Sequence, residues 1–258
     1  MANKNDKKLR KGSSQEAVRR VDYAKATNPG RADLCEPLSG LAVRFDAVGA
    51  REDDYAWAGP DEACLTPAEF HELNRLRVAV THRLSGHRLE HSFGVANTAR
   101  RMAQRYGVDP CLAEAAGLLH DWDKCMPASD LLKKAGRYGI DTKILQNPGA
   151  RPVLHALTAA LSLPELFPEL PREVFHAIGV HTSGGVEMSD LDRIIFVADM
   201  LEPGRTAPEA IALRDTLGTD SLKTVYMNCL ASSLKHVINS GRPLFSAGVE
   251  AWNACCAQ

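Results

Sequence analysis

Long apolar runs are missing from this 258-residue chain, and none approaches the roughly eighteen residues that a membrane-spanning helix needs. The start, MANKNDKKLRKG, is basic but has no apolar stretch of the kind that marks a secretory signal, so a soluble, cytoplasmic protein is expected. Charge of one sign is also missing. The 31 Lys and Arg against 32 Asp and Glu exclude a generally basic nucleic-acid binder, and no nucleic-acid site is evident. Aromatic residues make up only 6%, which leaves little from which to build base-stacking platforms. The seven cysteines contain no C-x-x-C pair, which argues against a disulfide framework or a thiolate zinc site. Gly-rich phosphate loops after a strand, internal repeats, heptad arrays and alternating strand patterns are absent as well.

Residues 1–62 carry little pattern of any kind. Seven Lys and Arg against two acids in the first twenty positions, followed by Asn28-Pro29-Gly30, Gly49-Ala50-Arg51 and Gly59-Pro60, point to a basic, largely irregular and disordered extension. Order is expected from residue 63 to 258. Thr66-Pro67-Ala68-Glu69 reads as a capping box with Pro at the first helical position. Phe70, Leu73, Leu76, Val80 and Leu84 then keep a three- and four-residue step up to Gly86. Further helices are expected at about 88–106, stopped by Gly107, and from Asp109-Pro110 to His120-Asp121. The remaining ones fall at about 128–138, 149–163, 172–180, 189–201 and 220–239. The fold class is all-α.

Histidine is what this chain has in unusual amount. Seven of the nine lie between positions 82 and 181. His91, the adjacent pair His120-Asp121, His155, His181 and Asp199 each fall in a helix or at a helix end. Imidazole with carboxylate suits borderline divalent metals such as iron, manganese, cobalt or zinc without any thiolate. Adjacent helical residues point about 100° apart, so His120 and Asp121 meet on one ion only at a helix edge. Four His and two Asp are too many for a single site that leaves room for water, and about right for two metals sharing Asp121.

The pattern His91…His120-Asp121…Asp199 resembles the HD-domain metal-dependent phosphohydrolases. The surrounding blocks are more specific: Gly86-His87-Arg88-Leu89-Glu90-His91-Ser92, Gly117-Leu118-Leu119-His120-Asp121-Trp122-Asp123-Lys124, His181-Thr182-Ser183-Gly184 and Ala198-Asp199-Met200-Leu201-Glu202-Pro203-Gly204-Arg205. Together they resemble the bacterial YqeK-type symmetrical diadenosine tetraphosphate hydrolases over about residues 75–255. One departure follows His155, where Ala156-Leu157-Thr158-Ala159-Ala160 replaces the small, Pro-containing segment usual in that family.

The resemblance implies an HD-domain helical bundle holding two divalent metals, iron first, with manganese, cobalt or zinc as alternatives. It places His91, His120, Asp121 and Asp199 on one metal and Asp121, His155 and His181 on the other. A hydroxide activated between the metals would attack an inner phosphorus of a dinucleoside polyphosphate, and ADP would leave. Lys124, three residues past Asp121, joins Arg88 and Arg205 as candidates for neutralising phosphate oxygens. Thr182, Ser183 and Gly184 offer hydroxyl and backbone donors. His87, one helical turn before His91, is a candidate for substrate contact or proton transfer alongside Asp121 and Lys124.

Several nearby residues carry plainer readings. Asp123 either positions a water or forms an ion pair. Cys125, Trp122 and Met188 are expected in the core, and His71, His82, His176 and His236 match no motif position. Rival functions are an HD phosphohydrolase acting on another nucleotide and a non-catalytic nucleotide-binding module. Oligomeric state stays open at this level, a homodimer included.

Overall fold

The computed structural model describes residues 52–58, 66–141, 144 and 149–257, so most of the basic extension lies outside the described residues. What is described is helical, with no strand among the described residues. In chain order the helices are α1 Pro67–Arg83, α2 Gly86–Tyr106, α3 Pro110–Leu119, α4 Ala128–Arg137, α5 Leu154–Leu166, α6 Arg172–Val180, α7 Asp190–Leu201, α8 Pro208–Arg214, α9 Leu222–Asn239 and α10 Ser246–Cys256. None is long and apolar enough to cross a membrane.

Their ends follow local chemistry. Thr66 and Glu69 form the expected capping box, the Glu69 carboxylate accepting from the Thr66 backbone N–H at 2.7 Å. Asp109 caps α3 by accepting from the N–H groups of Cys111 and Leu112. Ser189 and Asp192 form a second capping box at α7. Gly107 ends α2 in the left-handed conformation, at φ +74°.

The phase of α1 holds for Leu73, Leu76, Val80 and Leu84, all buried, while Phe70 stands 49% exposed. Periodicity assigns a residue to a face; the packing partner decides where along that face burial begins. Two helices, α8 and α10, have no apolar period to announce them. Only Ala210 is buried in the first, and only Gly248 and Ala251 in the second.

Helix α7 is the centre of the bundle, packed by α2, α3, α6, α8 and α9. Accordingly it is buried nearly all round, through Leu191, Ile194, Ile195, Phe196, Val197, Ala198 and Leu201. Helices α2 and α3 form the most extensive helix pair. They approach closely because their facing surfaces are small: Ala96, Ala99, Ala103, Ala113 and Ala116 are fully buried. At Gly117 a Cβ would lie 2.6 Å from the Ala96 Cα, so only glycine permits this spacing.

A short 3-10 segment, Glu52–Ala58, packs on α2 with Tyr55 buried. The sequence reading put it inside the irregular stretch, because one buried aromatic makes no period.

Candidate metal centre

The six residues singled out from sequence converge from five places in the chain. His91 stands in the second turn of α2, and His155 in the first turn of α5. Asp199 lies near the end of α7. His120 and His181 occupy the C-terminal ends of α3 and α6. The difficulty of aiming two adjacent residues at one point is resolved by ending the helix. α3 stops at Leu119 and the chain enters a run of turns, so Asp121 is no longer bound to the helical 100° step.

The Asp121 carboxylate divides the cluster in two. Its Oδ2 stands 3.9 Å from His91 Nε2 and 3.7 Å from His120 Nε2. Its Oδ1 stands 3.1 Å from His155 Nε2 and 3.8 Å from His181 Nε2. On the Oδ2 side Asp199 Oδ1 lies 3.0 Å from His91 Nε2 and 3.9 Å from His120 Nε2. The two Nε2 atoms within each half are 3.3 Å apart, for His91 with His120 and for His155 with His181. His120 is shared space: its ligand atom also groups within 4.8 Å of those of Asp121 and His181.

Ring orientation is fixed from behind. His120 Nδ1 donates to the Gly117 carbonyl and His181 Nδ1 to the Ile178 carbonyl, each at 2.7 Å. With Nδ1 protonated, a neutral imidazole presents Nε2 as a bare lone pair. Lone pairs and carboxylate oxygens then face one another at close range, an arrangement that repels itself unless a cation stands among them. Donors bound at about 2.1 Å in neighbouring positions of an octahedral ion lie about 3 Å apart, close to the shorter spacings here. The residues therefore fit divalent cations of the kind that take nitrogen and oxygen donors.

Protonation follows the same logic. Burial pushes His120 down to about 3 and His155 down to about 4, against the pull of Asp121, so both are neutral at pH 7. Burial opposes the charge on Asp121, but His120, His155, His181 and Lys124 outweigh it and hold the carboxyl below the usual range. Asp199 is likewise held well below that range, with His91, His120 and Arg205 overcoming its burial. His91 goes the other way: burial works against its proton, yet Asp199 and Glu202 together raise its pKa.

Glu202 is the residue that sequence reasoning missed. It sits inside a quoted motif, but its task appears only when the end of α7 meets α2. It is 4% exposed, its Oε1 stands 3.1 Å from His91 Nδ1, and its Oε2 accepts from the Gly204 N–H at 2.6 Å. A carboxylate behind an imidazole fixes its orientation and raises its basicity as a ligand. A Cβ at Gly94 would come 2.6 Å from Glu202 Oε2, so the absent side chain leaves the carboxylate its seat.

Three cations line the cluster. Arg88 Nη1 is 3.1 Å from Asp121 Oδ2, and Lys124 Nζ is 3.7 Å from Asp121 Oδ1 and 3.2 Å from His155 Nε2. Arg205 Nη2 donates to Asp199 Oδ1 at 2.7 Å. All three are partly exposed, so each keeps one side toward solvent. The loop after His181 turns through Gly184 at φ +69°, where a Cβ would meet the Tyr226 hydroxyl at 2.6 Å. Ser183 Oγ donates to the Gly184 carbonyl, and Thr182 Oγ1 is buried without a hydrogen-bond partner among the described residues. His87 is exposed on the first turn of α2, and its imidazole makes no hydrogen bond among the described residues.

The plainer residues sort themselves. Asp123 is an ion-paired acid, fully buried, accepting from Lys134 Nζ at 2.6 Å and from Arg83 Nη2 at 3.2 Å. Asp123→Asn should therefore cost about 3 kcal/mol of stability in a thermal melt and leave metal content unchanged. Loss of metal at unchanged stability would instead return Asp123 to the site. Trp122 is core, edge-on to Phe167 at 5.7 Å, and Met188 is buried. Cys125 was expected in the core and is exposed, because the turns after Asp121 carry it outward. His176 pairs with Asp192 at 2.9 Å, and His71, His82 and His236 are exposed.

Comparison with known proteins identifies the family. The HD domain family matches residues 88–204. The symmetrical bis(5'-nucleosyl)-tetraphosphatase of Bacillus subtilis is 30% identical over 167 residues, which is 64% of this chain and 88% of that protein. The protein of the same name from Staphylococcus aureus is 33% identical over 141 residues, 54% of this chain and 72% of that one. Among solved structures, a predicted HD superfamily hydrolase involved in NAD metabolism from Clostridium acetobutylicum superposes with a TM-score of 0.66 at 29% identity. That match covers 71% of this chain and 96% of that one.

Proposed function

That this chain belongs to the YqeK-type HD-domain hydrolases is the premise from which we propose that it cleaves diadenosine tetraphosphate symmetrically, releasing two ADP. The observation that carries the reading is the Asp121 carboxylate, whose two oxygens address two different imidazole pairs. His91, His120, Asp121 and Asp199 would hold one divalent cation, and Asp121, His155 and His181 a second. Likeness to the family puts iron first, and this nitrogen and carboxylate set is equally compatible with manganese, cobalt and zinc. Such a pair of cations supplies acidified water and charge neutralisation at a phosphate.

The protein's own residues supply placement. Without metal, the three acids Asp121, Asp199 and Glu202 are balanced by Arg88, Lys124 and Arg205. Two divalent cations would leave the site positive by about the charge of a tetraphosphate, which carries about one negative charge per phosphate. Arg88 and Arg205 flank the His91 half, and Lys124 the His155 half, so a phosphate chain lying across both would meet a cation on either side. Thr182, Ser183 and the Gly184 turn would offer neutral donors beside His181. His87, on the rim, would meet the part of the substrate nearest solvent or take part in proton transfer. Water oxygen bonds to one inner phosphorus, the bridging oxygen between the two inner phosphates departs with the second ADP, and the released proton goes to solvent.

Chromatography of the products from diadenosine tetraphosphate, with iron, manganese, cobalt and zinc supplied in turn, tests this. Two ADP and nothing else is the expected outcome. ATP plus AMP would overturn it, and faster turnover of a single-nucleoside substrate would assign the site to another nucleotide.

A further inference from the structure

We propose that Tyr55, from the 3-10 segment Glu52–Ala58, is a positioning residue for the His91 half of the metal centre, acting through Glu202. The inference rests on His91 being a metal ligand, as proposed above. Residues 91, 94, 98 and 101 of α2 form one stripe, at steps of three and four. His91 stands at its active end. Glu202 lies in the gap left by Gly94, with its Oε1 on His91. Tyr55 covers the next two positions: its ring lies over the Arg101 guanidinium at 4.6 Å, and Thr98 and Asn97 are the polar groups beside its hydroxyl. Neither closes a well-formed hydrogen bond with that hydroxyl, which is buried. Thr98 Oγ1 itself donates to the Gly94 carbonyl at 2.8 Å, tying the two seats together.

The consequence is enclosure. Tyr55 and Arg101 are each 2% exposed and Glu202 4% exposed, so water is excluded along this stripe behind His91. A carboxylate shielded from water has fewer competitors for the imidazole N–H and is held more firmly on it. The segment is also anchored independently of its ring. A Cβ at Gly218, at φ +80°, would meet the Trp57 carbonyl at 2.7 Å. Segment 52–58 lies outside the residues matched to the HD domain family, 88–204.

Binding of Mn2+ alone to the full chain tests this, followed by calorimetry and by the spin signal of bound manganese well below the melting temperature. Tyr55→Ala should weaken one of two Mn2+ equivalents by about 10-fold or more and leave the other within about 2-fold. Tyr55→Phe, which keeps the ring, should recover the weakened site to within about 3-fold. Gly218→Ala, which dislodges the segment without touching Tyr55, should reproduce the one-site loss if Tyr55→Ala does not fold. Equal weakening of both equivalents, or of neither, overturns the proposal. His91→Ala separates the levels. If it leaves both equivalents unchanged, the assignment of His91 as a ligand fails; if it weakens one while Tyr55→Ala and Gly218→Ala weaken none, only the role of Tyr55 fails.

Discussion

Asp121→Ala is expected to abolish turnover, by about 1,000-fold or more, and to lower metal content at the same time. Among the described residues no other side chain in the cluster offers one oxygen to each imidazole pair. Its removal subtracts a donor from both proposed cations and the negative charge that keeps them together. The fold should survive, because the cations then left unpaired are accessible to water: Arg88 is 41% exposed and Lys124 31% exposed. Metal analysis of the purified variant, beside a melt and an activity assay, distinguishes this outcome from simple unfolding. A folded variant with its full complement of metal and unchanged activity would refute the bridging role. Asp121→Asn sharpens the test, since it keeps the shape while removing the charge.

Gly117→Ala should be the most damaging small substitution away from the ligands, costing about 3 kcal/mol. That corresponds to a fall in melting temperature of roughly 6–12 °C for a domain of this size. The new methyl would stand 2.6 Å from the Ala96 Cα and 2.9 Å from the Ala96 N. Both are backbone atoms, so no side chain can swing aside and α2 must separate from α3. The separation would also reach the metal centre, since the Gly117 carbonyl is the acceptor that orients His120. Metal affinity should therefore fall along with stability. An unchanged melt would show that the two helices are further apart than the structure has them.

These two expectations differ in how far each could be read from the chain. Asp121 was singled out by residue type and neighbours alone: a carboxylate beside a histidine, in a chain whose other candidate ligands fall in helices or at helix ends. Gly117 was quoted only as part of a motif, and its function as a contact surface depends on Ala96, on a different helix. Glu202 is similar. It meets His91 across 111 positions of sequence, and no local pattern records that meeting. Asp123 was balanced between two readings until Lys134 and Arg83 were seen to enclose it. Tyr55 was hidden in a stretch without periodicity, where a single aromatic finds its seat on α2.

Local chemistry therefore determined the helices that carry caps and apolar phase, the donor set of the candidate metal centre and its likeness to the HD-domain hydrolases. Capping, periodicity and ligand type are properties of residues a few positions apart, which a chain displays whatever its neighbours do. Tertiary structure decided the remainder: which oxygen of Asp121 faces which imidazole pair, what holds His91 from behind, and how a near-neutral chain gathers Arg88, Lys124 and Arg205 around one cluster. Those are distances between groups brought together by packing, and they take definite values only once the helices have closed around α7.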